Sequence, residues 1–442
     1  NIFYATQLRK EGNTMAEIRP FRALRYDLEK AGTIGELTCP PYDIISEAQR
    51  QEYLSRNGHN LIRLELPREG EDPYAQAAEI LTRWRQEGVL RLDMDPGMYL
   101  YEEEFLSGVD QGERRSVLGL VCLVRLPDFS QGVVLPHEET LSKAKEDRFR
   151  LMTATRCNFS SIYSLYHDET GATRQRLLHL KETCAPRYEF SDGLVTHRLW
   201  VVNDTEALDA LREDFAGRKL YIADGHHRYE TALRYRDTLR EQGTYLPGAD
   251  YVMMTLTDME DPGLTVFPTH RLVRGLPTFD SAALQEACRE HFTLEEASSR
   301  EESQEALDAA YGEGKHAFAL FDGKHWTVLT LKDPAVMEQL LPDMSQAYRE
   351  LDVSILHSLV LERLLGIDKE NMANQKNLTY TRSAQEAEES VRAGESQCCF
   401  LLNPTRVEEI GQVAAFGEKM PQKSTYFYPK LITGLVMNSL EE

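Results

Sequence analysis

Tyr221-Ile222-Ala223-Asp224-Gly225-His226-His227-Arg228 is the stretch on which the reading of this chain turns. Residues 220–223 are apolar and predict a buried strand. Asp224-Gly225 ends that strand, and Gly225 lets the backbone turn sharply and approach a ligand closely. From 226 to about 240 the apolar residues Tyr229, Ala232 and Leu233 fall at helical spacing. The amides at a helix start attract anions, and the helix dipole adds to this. Cationic residues at that end are unfavourable for stability alone. His226, His227 and Arg228 make sense there if an anion such as phosphate sits among them, gripped by the Arg228 fork. Asp224 is expected to orient a histidine or to hold a divalent metal. The competing reading is an N-capping Asp followed by surface histidines.

Working outward, strands are predicted over 98–105, 116–125, 133–135, 160–166, 196–202, 250–257 and 264–268. Residues 60–66 alternate and also read as a strand. Helices are predicted over 74–87, opened by Asp72-Pro73, and over 141–155, with Ser46 capping another that contains 50–55. Beyond about 277 the texture changes. A helix over 282–291 leads to a hairpin, 317–321 with 326–331, turning at Asp322-Gly323. A helix over 352–365 and a strand over 398–402 follow. The class is α+β, in three regions: 15–110, 111–277 and 278–442.

The chain has 442 residues, of which 41% are hydrophobic and 28% charged, as in globular proteins. Its net charge of −22 argues against a nucleic-acid partner, which needs a basic surface. A basic pocket inside an acidic shell would select small anions. No apolar run reaches the roughly 20 residues that span a bilayer, so no membrane partner is expected. Seven scattered cysteines without a CxxC pair fit a reduced, cytoplasmic protein. Met15 is read as the natural start, and Asn1–Thr14, which lacks an apolar core, is set aside.

Other polar clusters could join the same chemistry. Pro136-His137-Glu138-Glu139-Thr140 offers Glu138 as a general base, with Lys143, Lys145 and Arg148 downstream as phosphate contacts. The alternative there is a solvated helix with pairs such as Lys143 with Asp147. Pro268-Thr269-His270-Arg271 and Lys423-Ser424-Thr425 with Lys430 are further sources of cations. Pro40-Pro41-Tyr42-Asp43 is a rigid loop with Asp43 facing a ligand. Zinc-like spacing, a Gly-x-Ser-x-Gly elbow and a Walker loop are all lacking.

With these residues in view, the chain resembles a bacterial family, domain of unknown function family 1015. The resemblance covers nearly all of 15–442. It rests on Arg19-Pro20-Phe21-Arg22-Ala23-Leu24, Pro40-Pro41-Tyr42-Asp43-Ile44, His137-Glu138 with Thr140 and Lys145-Glu146-Asp147-Arg148. It continues in Asp224 to Arg228, Pro268 to Arg271, and Met420-Pro421 with Lys423-Ser424-Thr425. The Asp-Gly-His-His-Arg segment is also similar to the signature of the ParB/sulfiredoxin-like superfamily, within which free-serine kinases are the nearest parallel. That resemblance implies a ParB/sulfiredoxin-like core with large insertions and an additional C-terminal α+β region whose tail completes the site. It implies Glu138 as catalytic carboxylate, and Asp224 to Arg228 as the segment handling nucleotide phosphates. Asp224 follows Glu138 by 86 positions (224 − 138), more than compact kinases carry, so 158–217 reads as an insertion.

The function expected is transfer of a phosphoryl group from ATP or ADP, with Mg²⁺ held partly by Asp224, to a small hydroxyl metabolite, L-serine first. Glu138, Asp224, His226 and His227 would be catalytic. Gly225, Arg228, Lys143, Lys145, Arg148, His270, Arg271, Lys423 and Ser424 would contact phosphate or nucleotide, and Asp43 and His137 the substrate. The partner expected is a small molecule, with a homodimer open as the assembly. A non-catalytic nucleotide or phosphometabolite sensor and a phosphoester hydrolase are the rival readings.

Overall fold

The computed structural model describes residues 16–107, 112–138, 140 and 142–442, and of Ser107, Ser142 and Lys143 the backbone alone. Met15 and the segment before it lie outside the described residues. The chain forms two compact units. The first combines the chain up to Pro136 with Thr140–Thr265 and Pro429–Glu442, and the second combines His137–Glu139 with Val266–Tyr428.

The first unit is built on a nine-stranded mixed sheet. Its strands are β1 Ile18–Arg19, β2 Met98–Ser107, β3 Glu113–Arg125, β4 Val134–Leu135, β5 Ile162–Tyr166, β6 Tyr188–Ser191, β7 Val195–Val202, β8 Leu220–Asp224 and β9 Tyr251–Asp258. They lie in the order β4-β8-β5-β9-β3-β2-β7-β6, with β1 added to β3. β4 runs parallel to β8 and β5 parallel to β9; the other pairs are antiparallel.

Both faces of this sheet are covered, which explains the unbroken apolar run of β3. Leu118, Leu120, Cys122 and Val124 point into one core cluster, while Val121 and Leu123 point into the other. A two-residue period across two buried faces reads as continuous hydrophobicity. Helix α1, Pro73–Gln86, begins as its sequence dictates. Asp72 accepts from the Tyr74 and Ala75 amides, and Pro73 takes the first turn, where no amide is needed. Ala77, Leu81 and Trp84 then bury against one face. Two more helices, α2 Ser142–Thr155 and α3 His226–Glu241, complete the part that matters here. Tyr229, Ala232 and Tyr235 of α3 pack into the opposite cluster. Burying side chains of this size stabilises by about 1.5–3 kcal/mol each for the larger ones. The stretch 158–217 is woven into the sheet, since it supplies β5, β6 and β7.

Residues 60–66 are not the strand their alternation predicts. Ile62–Glu65 is a helical turn buried nearly all round. The cause is Asn60, which is fully buried. Its carbonyl oxygen accepts from the Ile62 amide at 2.9 Å, and its amino group donates to the Glu36 and Thr38 carbonyls at 2.7 and 3.0 Å. Asn competes for backbone groups in this local way, and here it starts a turn and ties it to a neighbouring loop.

The second unit holds a six-stranded sheet of β10 His270–Val273, β11 Phe292–Ala297, β12 Ala317–Phe321, β13 Trp326–Leu331, β14 Leu378–Thr381 and β15 Cys398–Leu402. The order is β11-β13-β12-β15-β10-β14. β12 and β13 form the expected hairpin, with Gly323 at φ +94° in its turn. The helix predicted over 352–365 splits: Asp352–Leu356 is α-helical (α4), and His357–Glu362 widens into a π-turn. All seven cysteines are free thiols, and only Cys184 is exposed. Among the described residues, no helix is long and apolar enough to cross a membrane.

Asn60→Ala strands two carbonyls and an amide in the core. We expect a loss of roughly 2–4 kcal/mol, since each buried orphan costs about 1–3. Urea unfolding of the full chain measures it, and an unchanged midpoint would contradict the role given to Asn60.

Candidate functional site

The turn between β8 and α3 is shaped by two local irregularities. The register of β8 on β5 shifts between Ile222 and Asp224, which sets Asp224 opposite Tyr163. Such a bulge re-aims the side chain that follows it. Gly225 then adopts φ +96°, ψ 26°, a left-handed conformation. A Cβ at this position would also meet the Arg228 guanidinium at 2.9–3.0 Å. Glycine is required here for its backbone freedom and for its lack of a side chain.

The N-cap of α3 is therefore Gly225, with no side chain to cap the first turn. Ser46, Asp72 and Asp204 cap other helices of this unit, while Ala172–Glu182 also starts at a left-handed glycine, Gly171, with no side-chain cap. Asp224 is not the cap. Its Oδ2 accepts from Arg228 Nη2 at 2.8 Å, and its Oδ1 accepts from Lys430 Nζ. Burial alone would raise the Asp224 carboxyl, but Lys430 first, then Arg228 and His226, hold it well below the usual carboxylate range. Asp224 is thus a fixed negative charge with two cations on it.

Arg228 is less available than its sequence position suggests. Nη1 donates to the Ser161 carbonyl at 2.6 Å and Nη2 to Asp224, while Nε is buried without a hydrogen-bond partner among the described residues. It locks the turn to β5. Beside it lies Glu65, 1% exposed, whose Oε1 accepts from Ser160 Oγ at 3.1 Å and lies 3.8 Å from Arg148 Nη1. Burial pushes the Glu65 carboxyl up, against the pull of Arg148 and Arg228. A cavity of about 40 Å³ is lined by Glu65, Arg148, Ser160, Arg228 and Thr231 among others, space for a water or two.

The basic helix α2 contributes structure. Arg148 is buried, pairs with Asp147 through Nε and Nη2, donates to the Glu65 carbonyl and stacks over Tyr42. Lys145 and Thr140 both donate to Glu230 Oε2, at 2.9 and 2.8 Å. The pair expected between Lys143 and Asp147 rests on a Lys143 side chain outside the described residues; Asp147 accepts from Arg148 and from the Tyr74 hydroxyl. Asp43 is exposed in the short turn Tyr42–Ile44, His226 is buried, and His227 is half-buried.

The remaining expected residues belong to the second unit, where 420–425 wraps the 137–138 segment. The Met420 amide donates to the His137 carbonyl at 2.6 Å, and the Lys423 amide donates to Glu138 Oε1 at 2.9 Å. Lys423 reaches it from a left-handed φ of +58°. His137 is fully buried, with Nε2 at 2.9 Å from Thr425 Oγ1 and its ring edge-on to Phe427. Ser424 is buried and donates to the Pro421 carbonyl. His270 is buried, its Nδ1 accepts from the Leu402 amide at 3.2 Å, and burial pushes it down to about 4. It is neutral near pH 7 and adds no positive charge. Arg271 is fully buried.

The structure thus gathers Asp224, Gly225, His226 and Arg228 in the first unit, and His137, Glu138, Lys423 and Ser424 in the second. Glu65, Tyr42 and Ser161 were not expected at the first cluster. The charged Glu65 amid an apolar run was the available signal for it. Lys430 stood among the tail cations, but nothing local tied it to Asp224. Among the described residues no three His, Cys, Asp or Glu side chains converge, and both Asp224 oxygens face cations. This donor set does not fit a resident metal, so Asp224 as a metal ligand is without support.

Solved structures give loose likenesses. A conserved hypothetical protein from Pyrococcus furiosus is 15% identical, covering 73% of this chain and 96% of its own, with a TM-score of 0.36. A free serine kinase in complex with AMP is 14% identical over 72% of this chain and 90% of its own, with a TM-score of 0.37. SbnI with a C-terminal truncation, from Staphylococcus aureus, is 12% identical over 72% and 86%, with a TM-score of 0.34. No curated protein matches. The family model described as protein of unknown function (DUF1015) matches residues 18–354, and the chain belongs to that family.

Proposed function

We propose that the protein is a small-molecule phosphotransferase, a nucleotide-dependent kinase of L-serine or a similar hydroxy metabolite. The observation that carries this is the helix start at Gly225, which has no capping side chain and stands beside Lys430 and Arg228. Lys430 and Arg228 place two cations at a helix N-terminus, the arrangement that suits phosphate. In this reading the start of α3 and Lys430 bind the phosphoryl oxygens. Arg228 positions the turn through Asp224 and Ser161. Magnesium, bound to nucleotide phosphates, belongs to the substrate. The acceptor's hydroxyl oxygen bonds to phosphorus, the bond to the leaving nucleotide breaks, and a general base takes the hydroxyl proton, the role expected of Glu138 from the sequence. The Lys423 amide holds that carboxylate in one orientation.

A second reading has one observation in its favour. Arg228 and Lys430 are already paired within the fold, so the site keeps its shape with no ligand, as a sensor of nucleotide or phosphometabolite would.

Incubation with L-serine and either ATP or ADP, followed by ³¹P NMR, tests the first reading; phosphoserine is the expected product. Absence of product with both nucleotides across a panel of hydroxy acids overturns it, and tight nucleotide binding without turnover then supports the sensor. Lys430→Met should lower kcat/KM about 10²–10³-fold, the loss typical of one electrostatic contact to transferring oxygens. Glu138→Gln should lower kcat about 10²–10⁴-fold with nucleotide affinity unchanged, as for loss of a general base. An E138Q variant that turns over normally excludes Glu138 as the base.

A further inference from the structure

The second unit holds a cleft of about 580 Å³, within the range that takes a small molecule. The start of the helix Arg300–Gly312, the end of the helix Ala384–Arg392 and the hairpin turn that leads into β13 line it. All its lining residues fall within 266–428, so it shares no residue with the site at Gly225. Its polar groups are largely paired with one another. Glu388 accepts from Arg392 Nε and Nη2 at 3.0 and 2.7 Å through one oxygen, and from Arg300 Nη1 at 3.3 Å through the other. Arg300 Nη2 also donates to Glu301 at 2.7 Å. These bonds fix both guanidiniums yet take only two of the five donors of each. Trp326 also lines the cleft, 3% exposed and stacked on Phe321 with ring centroids 4.6 Å apart. Its Nε1 is buried without a hydrogen-bond partner among the described residues. A buried donor left unmet is costly and calls for an acceptor.

The charges narrow the ligand. Four glutamates line the cleft against two arginines and one lysine, so there is no positive excess to hold an anion. The helix start is not open to one either. Ser299 Oγ accepts from the Glu302 amide at 3.1 Å, and Glu302 turns back to accept from the Ser298 amide at 2.6 Å. A cation would have to compete with Arg300 and Arg392 for Glu388. A hydroxyl group both donates and accepts, so it uses the spare N–H groups and lone pairs without breaking a pair. We propose that the cleft binds a neutral, hydroxyl-rich small molecule, a sugar or polyol, whose hydroxyls bond to Arg300, Glu388 and Arg392 and turn one oxygen toward Trp326 Nε1. The site goes beyond phosphoryl transfer and stands whether or not the protein performs it.

Ligand-observed NMR on the full chain tests this, with D-glucose, D-ribose and myo-inositol as neutral titrants and inorganic phosphate, L-glutamate and putrescine as charged ones. At least one neutral titrant should bind, and more tightly than any charged one. Arg392→Met alters an exposed residue and should weaken that binding about tenfold or more, as for a lost hydrogen bond to a charged group. Trp326→Phe keeps an aromatic ring against Phe321 and removes the N–H, so it should weaken binding about two- to tenfold, as for one neutral hydrogen bond. Binding of none of the three neutral titrants, a preference for a charged one, or unchanged affinity in both variants would overturn the assignment.

Discussion

One side chain ties the first unit's chemistry together. Arg228 leaves the start of α3, folds back over Gly225, and joins Asp224 at the end of β8 to the Ser161 carbonyl just ahead of β5. Remove any of the three and the others lose their reason. Without glycine there is no room for the guanidinium. Without Arg228, Asp224 is a half-buried carboxylate that has lost one of its two ion-pair partners. Without the bulge, Asp224 would not stand where Lys430 meets it. A charge pair broken on one side in such a place leaves an unpaired charge, which costs more than the pair contributes.

What could be read in the sequence was what is decided locally. The strand, glycine turn and helix of 220–241 appear as read because period, turn and helix face all lie within one short stretch. Asp72-Pro73 announced a helix start in the same way. The turn at 62–65 was misread because its cap, Asn60, takes its other bonds from residues 36 and 38, a tertiary choice that alternation cannot report. The partnership of Asp224 with Lys430 joins residues 206 apart, and a single sequence carries no trace of such a pairing. Arg148 and Lys145 read from the sequence as phosphate contacts, and in the fold each has a carboxylate beside it. A cation in a sequence does not say whether its partner is a ligand or the protein.

That distinction gives the overall charge its meaning. With a net charge of −22, most cations in this protein have an acidic neighbour within reach. The informative ones stand at interior points: the Lys430–Arg228 pair on Asp224, and Arg271, whose Nη2 has no hydrogen-bond partner among the described residues. An acidic exterior repels polyanions, while these interior points favour small ligands that can shed water and enter.

The order in which the chain is made bears on the first cluster. The first unit is assembled from three stretches, and the third, Pro429–Glu442, follows residues 266–428 of the second unit in the chain. Leu435, Val436, Met437 and Leu440 of that stretch are core residues, so the unit cannot close its interior until that stretch has been made. Lys430 arrives with them. Asp224 therefore waits through the making of residues 266–428 before its second cation comes, and a nascent chain stopped short of residue 430 carries the strand, the turn and the helix without Lys430.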